Sequence, residues 1–238
     1  MDINAYTFYN FPKELKVEDY EKAKETFISA LSKLNSVKSI YQFGTVSTPG
    51  ISDLDFFVVL DDIIGQERNR LKSAINSFTE TEKYIFSHEP FFVNKELFMN
   101  YLNIRHVSNL QHIYGEKIQM KKEVNKNCKI YMLIEILLSY PNFFLDSLIK
   151  KKIDVRKSLQ ILNAIKYPIS IYNDVVGNNK DRYSDFIEEI SNIRDNYHEH
   201  SNEDIKVNLL RLIYQAINII REVKWEFHNY LLDKLVYF

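Results

Sequence analysis

The sequence predicts an α+β protein, in which a small sheet with helices is followed by an all-helical C-terminal bundle. Two short apolar runs, at 37–43 and 54–60, flank a loop and have the Val, Phe and Leu content of buried strands. From about residue 125 onward, helical periodicity replaces the strand-like patterns. These observations divide the chain into a first domain at 1–121, which contains the sheet, and a helical domain at 122–238.

The elements of the first domain follow from the spacing of its apolar residues. Residues 1–16 lack a periodic pattern, whereas 17–34 carry apolar side chains at helical spacing, which predicts a helix packed on the sheet. Asp61 and Asp62 end the second strand and predict the start of a helix at 63–78. A third strand is expected at 83–88, because Pro90 cannot donate to a sheet and would end it. A helix at 94–101 follows.

In the helical domain, apolar periodicity predicts helices at 128–140, 142–149, 155–172, 183–197 and 205–235. The long apolar stripe of the last helix is typical of a core-facing surface. The single cysteine, Cys128, excludes an internal disulfide and a cysteine-based zinc cluster, and its apolar setting predicts a buried thiol. This domain is also a candidate dimer surface, so we consider a homodimer through it.

Composition narrows the classes of partner. The chain has 31 basic and 32 acidic residues, and this balance lacks the basic excess of a surface that binds long nucleic acid. The first 13 residues have no apolar core of the kind found in a secretory signal. Charged residues break the apolar runs before they reach the ~20 residues that a membrane-spanning helix needs. We therefore expect a cytoplasmic protein without a membrane partner.

The loop between the two predicted strands combines glycines with acidic residues. Two of the five glycines, Gly44 and Gly50, fall in it, where the backbone must turn sharply or be closely approached. Asp53 and Asp55 lie at the mouth of the second strand, and residues two apart on a strand point the same way. Paired carboxylates beside backbone amides and hydroxyls suit a divalent cation carrying phosphate, most simply Mg²⁺ with a nucleoside triphosphate. The alternative is that Ser52 and Asp53 are ordinary turn residues, although this leaves Asp55 unexplained.

This pattern resembles the signature of the nucleotidyltransferase superfamily. The matching residues are Gly44-Thr45, a short spacer, and Ser-Asp-Leu-Asp-Phe at 52–56 between apolar strands. Thr45 departs from the usual Ser or Gly but keeps a hydroxyl. The likeness covers about 37–120, and 109–116, with its Tyr-Gly pair, resembles the segment that closes the core in small bacterial members. The resemblance implies a polymerase-β-like core with a small mixed sheet, followed by a helical C-terminal domain.

The resemblance also implies a site. Its catalytic and metal-binding residues would be Asp53, Asp55 and Glu89, and its nucleotide-binding residues would be Gly44, Thr45 and Ser52. Two Mg²⁺ ions would act during catalysis, with the NTP as substrate. Glu96 is the fallback for the third carboxylate, and Glu89 is otherwise a surface residue at a strand end. His88 could contact a metal ion or phosphate, although a structural role is favoured by its aromatic neighbours.

The function implied is transfer of a nucleoside monophosphate from an NTP, such as ATP, to a hydroxyl of a small molecule or a protein, with release of pyrophosphate. One alternative is a catalytically silent relative that binds nucleotide or serves as a protein-interaction domain. Another is a helical interaction protein in which the acidic strand is incidental. Arg182, Arg194 and Arg211 are the candidates in the helical domain for reaching a phosphate.

Overall fold

The structure, a computed structural model, describes residues 2–61, 65–101, 107, 109–119, 125–177 and 182–235, with the side chains of 65–68 and 235 left out. It is an α+β fold with a small mixed sheet and a C-terminal helical region. The chain divides into two compact units, one formed by 13–124 and the other by 1–12 together with 125–238. We refer to them as the sheet unit and the helical unit.

The sheet unit is built on four strands with helices on both faces. Its strands are β2 (Val37–Phe43), β3 (Asp55–Leu60), β4 (Phe91–Asn94) and β5 (Gln111–Gly115), and its helices are α1 (Val17–Leu31), α2 (Gly65–Asn76), α3 (Glu80–Ile85) and α4 (Lys95–Tyr101). The strand order is β4-β3-β2-β5. Strand β2 is antiparallel to β3 and β5, whereas β4 is parallel to β3. The sheet is therefore mixed, and the predicted first two strands are confirmed.

Strand β3 is buried on both faces, which explains why its sequence is an unbroken apolar run. Phe56 and Val58 belong to a core cluster with side chains of α1, α2 and α3. Phe57 and Val59 point to the opposite face, where they pack with Phe98 of α4. Because side chains alternate along a strand, Asp55 begins the same face as Phe57 and Val59.

The predicted third strand at 83–88 is wrong. Residues Glu80–Ile85 form helix α3, and the strand comes later, at Phe91–Asn94. A capping box starts α3: the Glu82 N–H donates to the Thr79 hydroxyl at 3.2 Å, and the Thr79 N–H donates to the Glu82 carboxylate at 2.7 Å. This local signal outweighs the strand preference of the Tyr-Ile-Phe run. The predicted helix at 63–78 corresponds to α2, Gly65–Asn76. Asp62 and residues 63–64 lie outside the described residues.

The helical unit contains α5 (Lys126–Ile149), α6 (Val155–Ala164), α7 (Lys166–Val176), α8 (Ser184–Asp195) and α9 (Asn202–Leu235), with short strands β1 (Thr7–Tyr9) and β6 (Lys152–Asp154). Two predicted helices, 128–140 and 142–149, are one, with Pro141 inside it. The predicted helix 155–172 is two. Strands β1 and β6 pair in parallel, so residues 1–12 belong to the helical unit. The predicted boundary had placed them in the first domain.

Helix α5 exposes an apolar stripe. The side chains of Tyr131, Ile134, Leu138, Leu145 and Ile149 are between 37% and 79% exposed. By length and composition alone, α5 could cross a membrane. This differs from the expectation that every apolar run is too short, because α5 contains few charged residues. Core helices of soluble proteins meet the same two criteria, so the cytoplasmic location stays a prediction.

Candidate functional site

The loop between β2 and β3 is held in place by two tyrosines. The Gly50 N–H donates to the Tyr20 hydroxyl at 2.9 Å, and that hydroxyl donates to the Ser52 carbonyl at 2.8 Å. The Tyr84 hydroxyl donates to the Gly50 carbonyl at 2.7 Å. Tyr20 comes from α1 and Tyr84 from α3. Two helices therefore fix the backbone that leads into the acidic residues.

The loop brings Gly44 against the second aspartate. Phe43 pairs with Asp55 across the antiparallel strands, so Gly44 follows directly beside the start of β3. Its φ of 75° lies in the left-handed region that favours glycine. A Cβ at this position would lie 3.5 Å from Asp55 Oδ2. The expectation that the loop glycines serve a turn or a close approach is thus confirmed at Gly44.

Residues after α3 run alongside the entrance to β3. The Leu54 N–H donates to the Ile85 carbonyl at 3.2 Å, which places the next three residues next to the acidic pair. The Ser87 hydroxyl donates to Asp53 Oδ2. His88 Nε2 lies 2.5 Å from Asp55 Oδ1. Each aspartate is therefore held by one side chain of the same segment.

In the part of the chain that the structure describes, Asp53, Asp55 and His88 form the one group of metal-ligating side chains close enough to share an ion. One ligand atom from each lies within 4.8 Å of the other two. His88 Nδ1 faces the Glu89 carbonyl at 2.8 Å, so Nδ1 carries the donated proton and Nε2 is directed at the carboxylates. A second ring nitrogen bonded to a backbone carbonyl is the usual arrangement of a metal-binding histidine.

The electrostatics of His88 follow from the same contact. The hydrogen bond to Asp55 raises the pKa of His88 above its ordinary value, although burial acts in the opposite direction. When protonated, the imidazole would neutralise part of the negative charge of the two aspartates, whereas the neutral ring offers Nε2 as a ligand. Carboxylate oxygens suit Mg²⁺ and Mn²⁺, and an imidazole nitrogen extends the set toward transition metals. The donor set thus fits a divalent cation.

The side chain of Glu89 is not part of this group. Its Oε1 lies 3.6 Å from Lys72 Nζ, and the side chain is 58% exposed. Its backbone is nonetheless near the pair, because β4 runs parallel to β3 with Phe91 opposite Phe57. Continuing that register by two residues sets Glu89 opposite Asp55. An exposed ion pair of this kind stabilises by only about 0–1 kcal/mol, so it holds Glu89 weakly.

The other predicted site residues are placed as follows. Thr45 is exposed beside Gly44, and Glu96 is exposed on α4. Ser52 is buried, and its hydroxyl accepts the Thr48 N–H at 3.1 Å, so it supports the loop from within. In the helical unit, Arg182 pairs with Glu226 and Arg211 with Glu189, while Arg194 is buried and Cys128 is only half-buried.

Sequence reasoning missed Ser87 and underestimated His88. They were assigned to the last two positions of the predicted strand at 83–88, and a structural role was favoured for His88 because of its aromatic neighbours. The capping box at Thr79 was the available signal, because it starts a helix where a strand was predicted; that helix ends near Phe86 and leaves 87–89 as a connecting segment.

Comparison of the chain with protein-family models, with curated proteins and with solved structures found no match.

Proposed function

We propose that the chain is a metal-dependent nucleotidyltransferase, which transfers a nucleoside monophosphate from an NTP to a hydroxyl of a small molecule or a protein. The observation that carries this proposal is the position of Asp53 and Asp55, side by side at the entrance of β3 and against the glycine of a loop anchored by two helices. The mixed sheet agrees with a polymerase-β-like core, which we propose as the finer description of the fold.

In this proposal, Asp53, Asp55 and His88 hold a divalent cation, with Mg²⁺ as the expected one. When bound, the cation would neutralise phosphate charge and favour ionisation of the attacking hydroxyl. Gly44 leaves room for a triphosphate to approach the backbone, and the exposed Thr45 offers a hydroxyl and an N–H to its oxygens. Tyr20 and Tyr84 keep this loop preorganised, so less ordering is needed on binding.

Glu89 is the proposed third carboxylate. The register of β4 sets it at the height of Asp55, and release from Lys72 would let its side chain turn toward the site. There it would hold the cation or accept the proton of the acceptor hydroxyl. The Glu89–Lys72 pair also favours a second candidate, a silent relative that binds nucleotide without turning it over, because the carboxylate triad is incomplete as it stands.

The experiment is thermal unfolding with each of the four NTPs, with and without Mg²⁺, together with an assay of pyrophosphate release. An NTP at ~100 times its Kd would stabilise the protein by about 2.7 kcal/mol. We expect a Mg²⁺-dependent increase in Tm that Asp55→Asn abolishes. The matched control is Asp61→Asn, at the opposite end of β3, where the carboxylate pairs with Lys38; it should keep the increase.

The outcomes separate the candidates. Stabilisation with pyrophosphate release supports the enzyme, and the NTP that gives the largest shift identifies the base. Stabilisation without release, under any acceptor, supports the silent relative. The absence of any shift in folded wild-type protein would reject both, and would leave an interaction protein in which the acidic strand is incidental.

A further inference from the structure

A cavity of about 170 Å³ lies in the sheet unit beside the acidic site. Four phenylalanine rings form much of its wall, contributed by Phe27, Phe56, Phe78 and Phe86. Phe27 stacks on Phe56 with ring centroids 4.3 Å apart, and Phe86 lies 5.3 Å from Phe27 and 5.4 Å from Phe78. These contacts join the four rings into one aromatic part of the wall, which Leu54, Ile75 and Pro90 extend.

The mouth of the cavity is polar. Among its lining residues, Lys83, His88 and Glu89 are exposed, whereas the phenylalanines are buried or half-buried. His88 also touches Asp55 at 2.5 Å. His88 therefore lines the cavity and also contacts Asp55, which puts the cavity within one side chain of the acidic pair.

The size and lining select the kind of group that fits. An engineered apolar cavity of ~150 Å³ stays dry and binds benzene, and this cavity is slightly larger. Aromatic pairs adopt offset or edge-to-face arrangements and contribute about 0.5–1.5 kcal/mol beyond the area that they bury. The interior therefore suits a single aromatic ring, and the mouth suits one polar substituent on it.

We propose that the cavity holds the ring of a phenol, with the phenolic hydroxyl at the mouth, and that the phenol is the acceptor. The acceptor role rests on the proposed function. In that reaction the phenol oxygen bonds to the α-phosphorus of the NTP, the bond to pyrophosphate breaks, and the phenolic proton passes to the Glu89 carboxylate. The product is an aryl ester of the nucleoside monophosphate.

The binding step is tested with 4-fluorophenol, observed by ¹⁹F NMR line broadening in the absence of nucleotide. We expect saturable binding to wild type and to Asp55→Asn, since Asp55 is not among the residues that line the cavity. Ile75→Phe places a ring into the cavity from its half-buried wall position and should weaken binding about tenfold or more. Ile187→Phe, a half-buried site in the helical unit, is the matched control and should bind like wild type.

Two further measurements on wild-type protein keep the test valid if Ile75→Phe fails to fold. Cyclohexanol, the aliphatic counterpart of phenol, should compete poorly with 4-fluorophenol, and ring protons of bound phenol should show nuclear Overhauser effects to the Ile75 methyl groups. A lack of saturable binding to wild type, or equal competition by cyclohexanol, would overturn the proposal.

The transfer step is tested with Mg²⁺ and the NTP that stabilises the protein. Pyrophosphate release should rise with 4-methylphenol or with a tyrosine-containing peptide, and the better substrate distinguishes a free phenol from a protein side chain. Ile75→Phe should lose this rise while keeping its stabilisation by NTP. NTP stabilisation without phenol binding rejects the cavity proposal alone. Phenol binding without NTP stabilisation rejects the proposed function and the acceptor role, and leaves the cavity as a phenol site.

Discussion

Substitution of Lys72 by Gln tests whether Glu89 becomes a ligand of the cation. If Glu89 must leave Lys72 to do so, then removing Lys72 should strengthen cation binding by the free energy of the ion pair. The two groups are 3.6 Å apart and about half exposed, and such pairs typically contribute about 0.2–1 kcal/mol. The expected decrease in Kd is therefore about 1.4- to 5-fold.

The assay is a titration with Mn²⁺, followed by the loss of the free-ion signal in electron paramagnetic resonance, at low ionic strength. The matched control is Lys38→Gln, because Lys38 pairs with Asp61 and both side chains have the same exposures, 44% and 58%, as Lys72 and Glu89. Lys38→Gln should leave the Kd unchanged. In ~1 M salt the Debye length falls to about 3 Å, so the effect of Lys72→Gln should shrink.

A simple loss of positive charge near the site could also strengthen cation binding, and the double variant separates the two causes. In a Glu89→Gln background, the substitution of Lys72 should no longer change the Kd. An unchanged gain in that background would refute a role of Glu89 as a ligand, as would wild-type affinity in Glu89→Gln alone.

Three further predictions concern stability and association. Gly50→Ala should destabilise the sheet unit by about 2 kcal/mol or more in urea unfolding. The reason is that φ of Gly50 is 85° and a Cβ would lie 2.0 Å from the Lys13 carbonyl oxygen. A variant as stable as wild type would show that the loop relaxes freely. Burial raises the pKa of Tyr183 from 10.0 to about 12, so ionisation of its hydroxyl opposes folding, and stability is lost as pH rises from about 10 through 12. Between those pH values wild type should lose more stability than Tyr183→Phe, and parallel curves would contradict this. The apolar stripe on α5 has Tyr131, Leu138 and Leu145 spaced seven residues apart and predicts a homodimer. Light scattering should give a dimer mass for wild type and a monomer mass for Leu138→Asp. A monomeric wild type would exclude this dimer.

Sequence alone predicted the elements whose apolar spacing fits only one type of secondary structure. Strand β2 begins and ends as predicted, and β3 begins one residue later than predicted, because each is an apolar run bounded by turn residues. Asp53 and Asp55 do come close together, but Asp53 precedes β3, so strand alternation alone does not fix their shared direction. Apolar spacing alone did not reveal that α3 replaces the predicted strand, because Lys-Tyr-Ile-Phe has a strand preference that the capping box at Thr79 overrides.

The composition of the site depends on contacts between distant segments. His88 meets Asp55 because the residues after α3 hydrogen-bond along the entrance of β3, and no local pattern at 87–89 encodes that pairing. The same holds for Glu89, whose sequence distance from the aspartates fits a third carboxylate while its side chain pairs with Lys72 on α2. Ion pairing among exposed groups is too weak, and too dependent on neighbours, to be read from sequence.

The pairing of β1 with β6 has a consequence for synthesis of the chain. The sheet unit is an insertion: the chain leaves the helical unit after residue 12 and returns to it at 125. At typical translation rates, β1 emerges from the ribosome on the order of ten seconds before β6. During that interval the sheet unit can complete its own strands and cores, while β1 waits as a single strand of three residues. So short a strand offers few backbone groups for pairing with another chain. This limits aggregation of the nascent protein until the helical unit has been synthesised.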